Sequence, residues 1–389
     1  MKKIILLLFL LNITLCSFGQ HYHVNITERW WNINPDAVLQ NKRLQNAIDT
    51  FFKYKNTETL RSFCTPSDQR LWGTFPFKEV RYREGSFGAK YPLRPTLLGA
   101  VEVDSTLLLK KYLVKIAFIA NEDSVNNSVG SVYNFMINLH SDGKNFTFER
   151  YSSYLLDQWY KKQVGNILYY KASQTTFNMQ DAIRMNSFND SIAKVWGVDP
   201  VKCVYFSCKN NVEMFQLQGF DFVPNMFLAK TGGQSFWGGE GSEFEHIIYS
   251  GNNKEYYPHE ICHFYINMLI TQECSRLAEE GIATFLGGSS EQPYAYHARA
   301  LKLYLDKNPG KSIFDLFSDN SKINEHTSIL YATGAVIADM VYEKKGLDGF
   351  KSFLAISEKE LKEKIPQMLG TSSEEALKNA FYKKLKRYE

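Results

Sequence analysis

The spacing of apolar positions changes along the chain, and each change predicts a different kind of element. Residues 20–60 are partly helical in pattern, with Trp30, Trp31, Leu39, Leu44, Ile48, Phe51 and Phe52 as the apolar positions. From about 97 to 155 the pattern is that of strands. Residues 112–120 are rich in β-branched and aromatic side chains, and 132–139 and 146–151 flank the turn residues His140-Ser141-Asp142-Gly143-Lys144. These runs predict an antiparallel sheet with helices beside it, an N-terminal α+β domain over residues 20–160. It carries no chemical motif and no internal repeat.

A second domain is predicted over residues 165–389. Residues 167–170, 203–206 and 245–249 are short strand-like runs, and 179–196 is a helical stretch ended by Gly197 and Pro200. After residue 256 every strong segment has the helical period: 257–270, 275–286, 294–307, 328–345 and 373–388. Gly287-Gly288, Pro309-Gly310 and Gly346 fall just past three of these ends, where such residues stop helices. Strands followed by a helical half again predict an α+β arrangement.

Residues 1–19 read as an address. Lys2 and Lys3 precede a short apolar run, and the small residues Ser17 and Gly19 predict a signal peptide cleaved before Gln20. The run is too short to span a bilayer, which takes about 20 residues. Leu15 before Cys16 is a poor match to a lipid-anchor site. The expectation is an exported protein, periplasmic or extracellular, with no membrane span.

Hydrophobic residues make up 44% of the chain and aromatic ones 15%, ample for a buried core, so wholesale disorder is excluded. Gly, Pro and Cys usage excludes collagen-like, low-complexity and disulfide-scaffold classes. The net charge of +4 falls to +2 without Lys2 and Lys3, which gives no reason to invoke nucleic acid or a membrane surface as partner. Export places Cys64, Cys203, Cys208, Cys262 and Cys274 where disulfides are permitted. Five is odd, Cys-x-x-Cys is absent, and buried thiols packing as small apolar groups are expected for most of them.

One segment carries chemistry. Tyr257-Pro258-His259-Glu260-Ile261-Cys262-His263 contains His-Glu-x-x-His. Two imidazoles four apart project from one face of a helix and can hold one zinc ion, with the Glu between them within reach of a metal-bound water. Ile261, Phe264, Tyr265 and Met268 form the apolar stripe of that helix, and His259 and His263 lie nearly opposite it. The histidines therefore face either solvent or a second, functional surface. Pro258 suits the first helical turn. A catalytic zinc usually takes a third protein ligand, and downstream stand Glu279 and Glu280, followed by Gly281-Ile282-Ala283.

His-Glu-x-x-His followed by a helix bearing Glu-Gly-x-Ala resembles the gluzincin superfamily of zinc metallopeptidases, which includes thermolysin and the aminopeptidase N-like enzymes. The resemblance covers roughly residues 165–389. It implies a zincin-like domain, one Zn2+ per chain held by His259, His263 and Glu280, and Glu260 as general base. Gly281, lacking a side chain, would let the two metal-bearing helices approach closely. Tyr331-Ala332-Thr333-Gly334 is similar to the Tyr-x-x-Gly helix of the aminopeptidases, which implies that Tyr331 donates to the oxyanion; His326 is the thermolysin-like alternative. The run at 245–249, with His246 on it, is expected as the edge strand along which an extended substrate lies.

The sequence departs from the pattern twice. Only 16 residues separate His263 from Glu280, which leaves Glu279 as an alternative third ligand. The Gly-Ala-Met-Glu-Asn signature that grips a free amino terminus is absent, and Gly238-Gly239-Glu240-Gly241 and Glu243 stand in that neighbourhood. An endopeptidase acting on peptide or protein substrates is therefore expected over an aminopeptidase. The other readings are a zinc hydrolase of a non-peptide amide or ester, and a silent binding protein; an intact Glu260 argues against the last.

Overall fold

The computed structural model describes residues 35–80, 93–121, 127–142 and 144–388. The expected signal peptide over residues 1–19 with Cys16, and His21, His23, Trp30 and Trp31, lie outside the described residues. In chain order the elements begin with α1 (Pro35–Tyr54), α2 (Pro66–Trp72), β1 (Leu93–Ser105), β2 (Leu109–Asn121), β3 (Asn127–His140), β4 (Phe146–Arg150) and α3 (Tyr151–Leu156). Next come β5 (Tyr160–Val164), β6 (Ile167–Lys171), α4 (Met179–Trp196), β7 (Cys203–Ser207), α5 (Asn211–Leu217), β8 (Phe220–Phe222), β9 (Gly233–Trp237) and β10 (His246–Ser250). Seven helices close the chain: α6 (Pro258–Asn267), α7 (Arg276–Gly287), α8 (Tyr294–Lys307), α9 (Ile329–Lys345), α10 (Leu347–Leu354), α11 (Leu361–Leu369) and α12 (Glu374–Leu385). The content is mixed α+β with two sheets. Among the described residues no helix is long and apolar enough to cross a membrane.

The chain divides into two compact units. The first takes residues up to Asp157 together with Phe215–Leu228 and Gly238–Glu243. Its sheet is antiparallel in the order β1-β2-β3-β4, with β8 paired to β3. Alternation sends Val114, Ile116 and Phe118 of β2, and Tyr133, Phe135 and Ile137 of β3, into the core. Phe51 of α1 stacks on Phe135 with ring centroids 4.2 Å apart and meets Phe77 and Phe148 edge-on. Glu243 pairs with Arg70, and the Glu240 carbonyl accepts the Thr74 N–H, so this acidic segment is engaged within the first unit.

The second unit comprises Gln158–Met214, Ala229–Trp237 and Phe244–Glu389. Its sheet runs β5-β6-β7-β10-β9; β6, β7 and β10 are parallel, and the flanking β5 and β9 are antiparallel to their neighbours. Every residue of β7 and β10 is buried, as expected for strands covered on both faces. The five expected helices are present, α8 with the expected bounds and the others within three residues of them, while α10 and α11 were not foreseen. Cys64, Cys203, Cys208 and Cys262 are free and buried, and Cys274 is free and partly buried.

Candidate metal centre

Pro258 sits in the first turn of α6, as its fixed φ favours, and all residues from Pro258 to Ile266 are buried. Ile261, Phe264 and Tyr265 enter the hydrophobic core. Met268 does not belong to that stripe: the helix ends at Asn267, and Met268 is 43% exposed. His259 and His263 lie on the opposite face and are only 4% and 8% exposed, so this face is buried too.

Helix α7, capped by the Ser275 hydroxyl accepting the Ala278 N–H, supplies what they face. Glu280 Oε2 lies 3.2 Å from His259 Nε2 and 3.8 Å from His263 Nε2. Donor atoms of these three residues fall within 4.8 Å of one another. Both outer ring nitrogens are spoken for. His259 Nδ1 donates to the Gly288 carbonyl at 2.7 Å, and His263 Nδ1 donates to Glu279 Oε1 at 3.3 Å. A carbonyl and a carboxylate only accept, so both Nδ1 atoms carry a proton, and in the neutral rings both Nε2 lone pairs turn toward Glu280 Oε2. Three acceptors meeting this way need a cation among them, either a metal ion or a proton on an imidazole. Burial opposes charge on His263, yet Glu279, Glu280 and Glu260 together push it up to about 9. Burial likewise works against a charged Glu280, but the two imidazoles hold it down at about 2.

Glu260 points elsewhere. Its carboxyl is buried, which raises its proton affinity above the ordinary carboxylate range, partly offset by the two histidines and by a hydrogen bond from Ser235. Ser235 is on β9, and a Cβ on Gly233 of that strand would come within 2.5 Å of Glu260 Oε1 and 2.3 Å of the Tyr257 ring. The close approach of β9 to Glu260 and Tyr257 thus favours glycine at 233, since a Cβ there would displace both side chains. This corrects the expected edge strand. β10, with His246, is paired on both sides, to β7 and β9, and β9 is the strand at the edge. His246 is packed between the rings of Trp237 and Phe264.

Tyr331, in the first turn of α9, lies parallel to the His259 ring with centroids 6.0 Å apart. Burial and the Glu280 carboxylate raise its phenol above the ordinary range. His326 is turned to its neighbour Glu325 and to the Tyr296 ring. The glycines act differently from expectation. A Cβ on Gly281 would stand 2.4 Å from the backbone of Gly334, so Gly281 admits α9, the helix of Tyr331. Contact with α6 is made by Gly287, whose Cβ would lie 2.7 Å from the His259 nitrogen.

Three features escaped the sequence. His297, buried on α8, hydrogen-bonds the Ser289 carbonyl at 3.0 Å and the Thr327 hydroxyl at 3.1 Å, holding the turn whose Gly288 carbonyl orients His259. Ser290 and Glu291 in that turn have positive φ, 46° and 64°, a conformation that non-glycine residues rarely adopt. A cavity of about 610 Å³ shares Tyr257, Pro258 and Gly288 with the site. None of these has a pattern that the sequence displays.

No protein-family model matches the chain, and no curated protein or solved structure matches it. The geometry must carry the functional argument alone. Two imidazole nitrogens and one carboxylate oxygen, with outer hydrogen bonds already made, form a donor set suited to a divalent cation, and a buried carboxyl stands beside it.

Proposed function

We propose that the chain is an exported zinc-dependent peptidase, with a gluzincin-type zincin domain formed by the second unit and an accessory domain formed by the first. The observation that carries this reading is the convergence of His259 Nε2, His263 Nε2 and Glu280 Oε2, with Glu260 buried next to them. Two histidines and a glutamate are a ligand set that suits catalytic zinc. When bound, zinc would polarise the scissile carbonyl and bring the pKa of water toward about 7.

The chain's own residues do the rest. Glu260, its proton affinity raised by burial, takes the proton from the attacking water and passes it to the departing amine. Ser235 steadies one oxygen of that carboxyl. Tyr331 donates to the oxygen on which negative charge develops. An extended peptide adding along β9 favours peptide bonds over other amides and esters, because an edge strand offers backbone hydrogen bonds to a strand-like ligand. The missing amino-terminus signature favours endopeptidase action.

The test is zinc content of the purified protein beside cleavage of a mixed peptide library, for the unsubstituted chain and for Glu260→Gln. The substituted protein should keep its zinc and lose hydrolysis by at least about 10²-fold, the usual contribution of a general base. Undiminished turnover in Glu260→Gln would overturn the reading.

A further inference from the structure

Arg276 opens α7 one helical turn before Glu280, so the two side chains leave the same face of the helix. Its backbone N–H donates to Glu358 Oε1 at 2.7 Å. Its guanidinium is held by neutral oxygens: Nη1 donates to Asn320 Oδ1 at 3.0 Å, and Nη2 donates to the Tyr331 hydroxyl at 3.4 Å. Among the described residues, no carboxylate oxygen lies within the 4.0 Å of an ion pair with that guanidinium. Several other cations of this unit do have a carboxylate partner. Arg184 has Asp181, Lys254 has Glu291, and Arg387 has Glu343. Arg276 is also exposed.

A guanidinium carries five donors in a planar fork that matches a carboxylate, and two of them are spent here on fixing its position. A guanidinium fixed by neutral oxygens, touching the tyrosine of the site, with Glu280 and Glu358 near enough to act on its charge but neither paired to it, keeps donors to offer a further carboxylate. We propose that Arg276 binds a carboxylate of the substrate beside the metal centre: a free C-terminal carboxylate or an acidic side chain. This rests on the peptidase reading for the identity of the ligand as a peptide.

The test is calorimetric binding to the full chain, zinc-loaded and carrying Glu260→Gln. Three pools of mixed short peptides serve as probes: free C-terminal acids without Asp or Glu, the same sequences amidated, and amidated sequences containing Asp and Glu. A second protein adds Arg276→Met and a third Arg276→Lys. Loss of a hydrogen-bonded charge partner should weaken binding at least about tenfold in Arg276→Met, for one or both carboxylate pools only. The affected pool names the source of the carboxylate. Arg276→Lys should recover part of the loss, and zinc content and affinity for the neutral amidated pool should not move.

Equal affinity of the Arg276 and Arg276→Met proteins for every pool overturns the proposal. So does an equal loss across all pools, which would be packing, or failure of the parent to bind any pool. The peptidase reading fails separately, if the unsubstituted chain hydrolyses none of the peptides while the Arg276 effect on binding stands.

Discussion

Each unit of this chain buries a cluster of ionisable groups, and the two clusters are finished in opposite ways. In the first unit Arg150, 1% exposed, donates both terminal nitrogens to Glu79 at 2.9 and 2.7 Å and its Nε to Ser152 at 2.9 Å. A further bond reaches the Pro76 carbonyl, and the guanidinium carbon sits 3.6 Å over the Trp72 ring. Asp68 accepts the Arg150 N–H at 2.6 Å and the Ser153 hydroxyl. Charge meets opposite charge, and donors meet acceptors. In the second unit only the outer atoms are matched that way. The inner ones, His259 Nε2, His263 Nε2 and Glu280 Oε2, are all acceptors turned toward one another whenever the rings are neutral. A closed cluster spends its polarity on the fold; a cluster of converging lone pairs is arranged for a cation from outside.

The largest effect should come from opening the second cluster. His263→Ala should abolish stoichiometric zinc and with it hydrolysis, while leaving the first unit folded. Glu280→Gln should lose more metal affinity than Glu279→Gln, whose role is to orient His263, a kind of support worth about 10–100-fold. Equal zinc in the unsubstituted and His263→Ala proteins, by metal analysis, would erase the distinction between the clusters.

Opening the first cluster should cost stability and nothing else. Glu79→Gln strands a buried guanidinium charge, a defect worth about 3–5 kcal/mol, and denaturant unfolding should report it. Zinc content and turnover per folded molecule should stay constant. A specific loss of kcat in this variant would mean that the cluster serves the chemistry as well as the fold.

A somewhat smaller effect tests how far the second site extends. Tyr331→Phe keeps the ring beside His259 and removes only the hydroxyl. It should preserve zinc and KM while lowering kcat by about 10²–10³, the loss of one oxyanion donor. Unchanged kcat in steady-state kinetics would reduce Tyr331 to packing.

How much of this was legible follows from the range of each contact. His259 and His263 stand four apart on one helix, so periodicity alone sets them on one face, with Glu260 beside it. The helical half was readable for the same reason. Sheet order was not, because the pairing of β9 with β10 joins segments on either side of Gly238–Glu243, which belong to the other unit. The sequence of β9, Gly233-Gln234-Ser235-Phe236-Trp237, lacks the alternation that marks a half-buried strand. The contacts of Gly287 with α6, of Gly334 with α7 and of His297 with Thr327 were invisible because each joins residues far apart in sequence. The closed cluster was equally hidden, its charges being scattered at 68, 79 and 150.

The smallest effect sharpens the comparison through pH. Burial pushes Asp68 up to about 6, although the Ser153 hydroxyl, the Arg150 N–H and the Arg150 charge all pull the other way. An acid whose folded-state pKa exceeds its unfolded value near 3.8 binds its proton more tightly when folded. Its contribution is therefore full below about pH 4 and fades as pH rises through 6. Between pH 7 and 5 the unfolding free energy should gain about 1 kcal/mol from this residue, and Asp68→Asn should flatten that part of the pH profile. Glu280, held down at about 2 in the metal-free protein, has the opposite sign: its contribution is present above its ordinary value near 4.5 and is lost as pH falls toward 2. Thermal melts of the zinc-free chain across this range separate the two, since acidification to pH 5 should help the Asp68 cluster before it harms the Glu280 one. If Asp68→Asn leaves the pH 5 to 7 slope unaltered, the Asp68 carboxyl is ionised in the fold, and the first cluster is an ion-pair network from end to end.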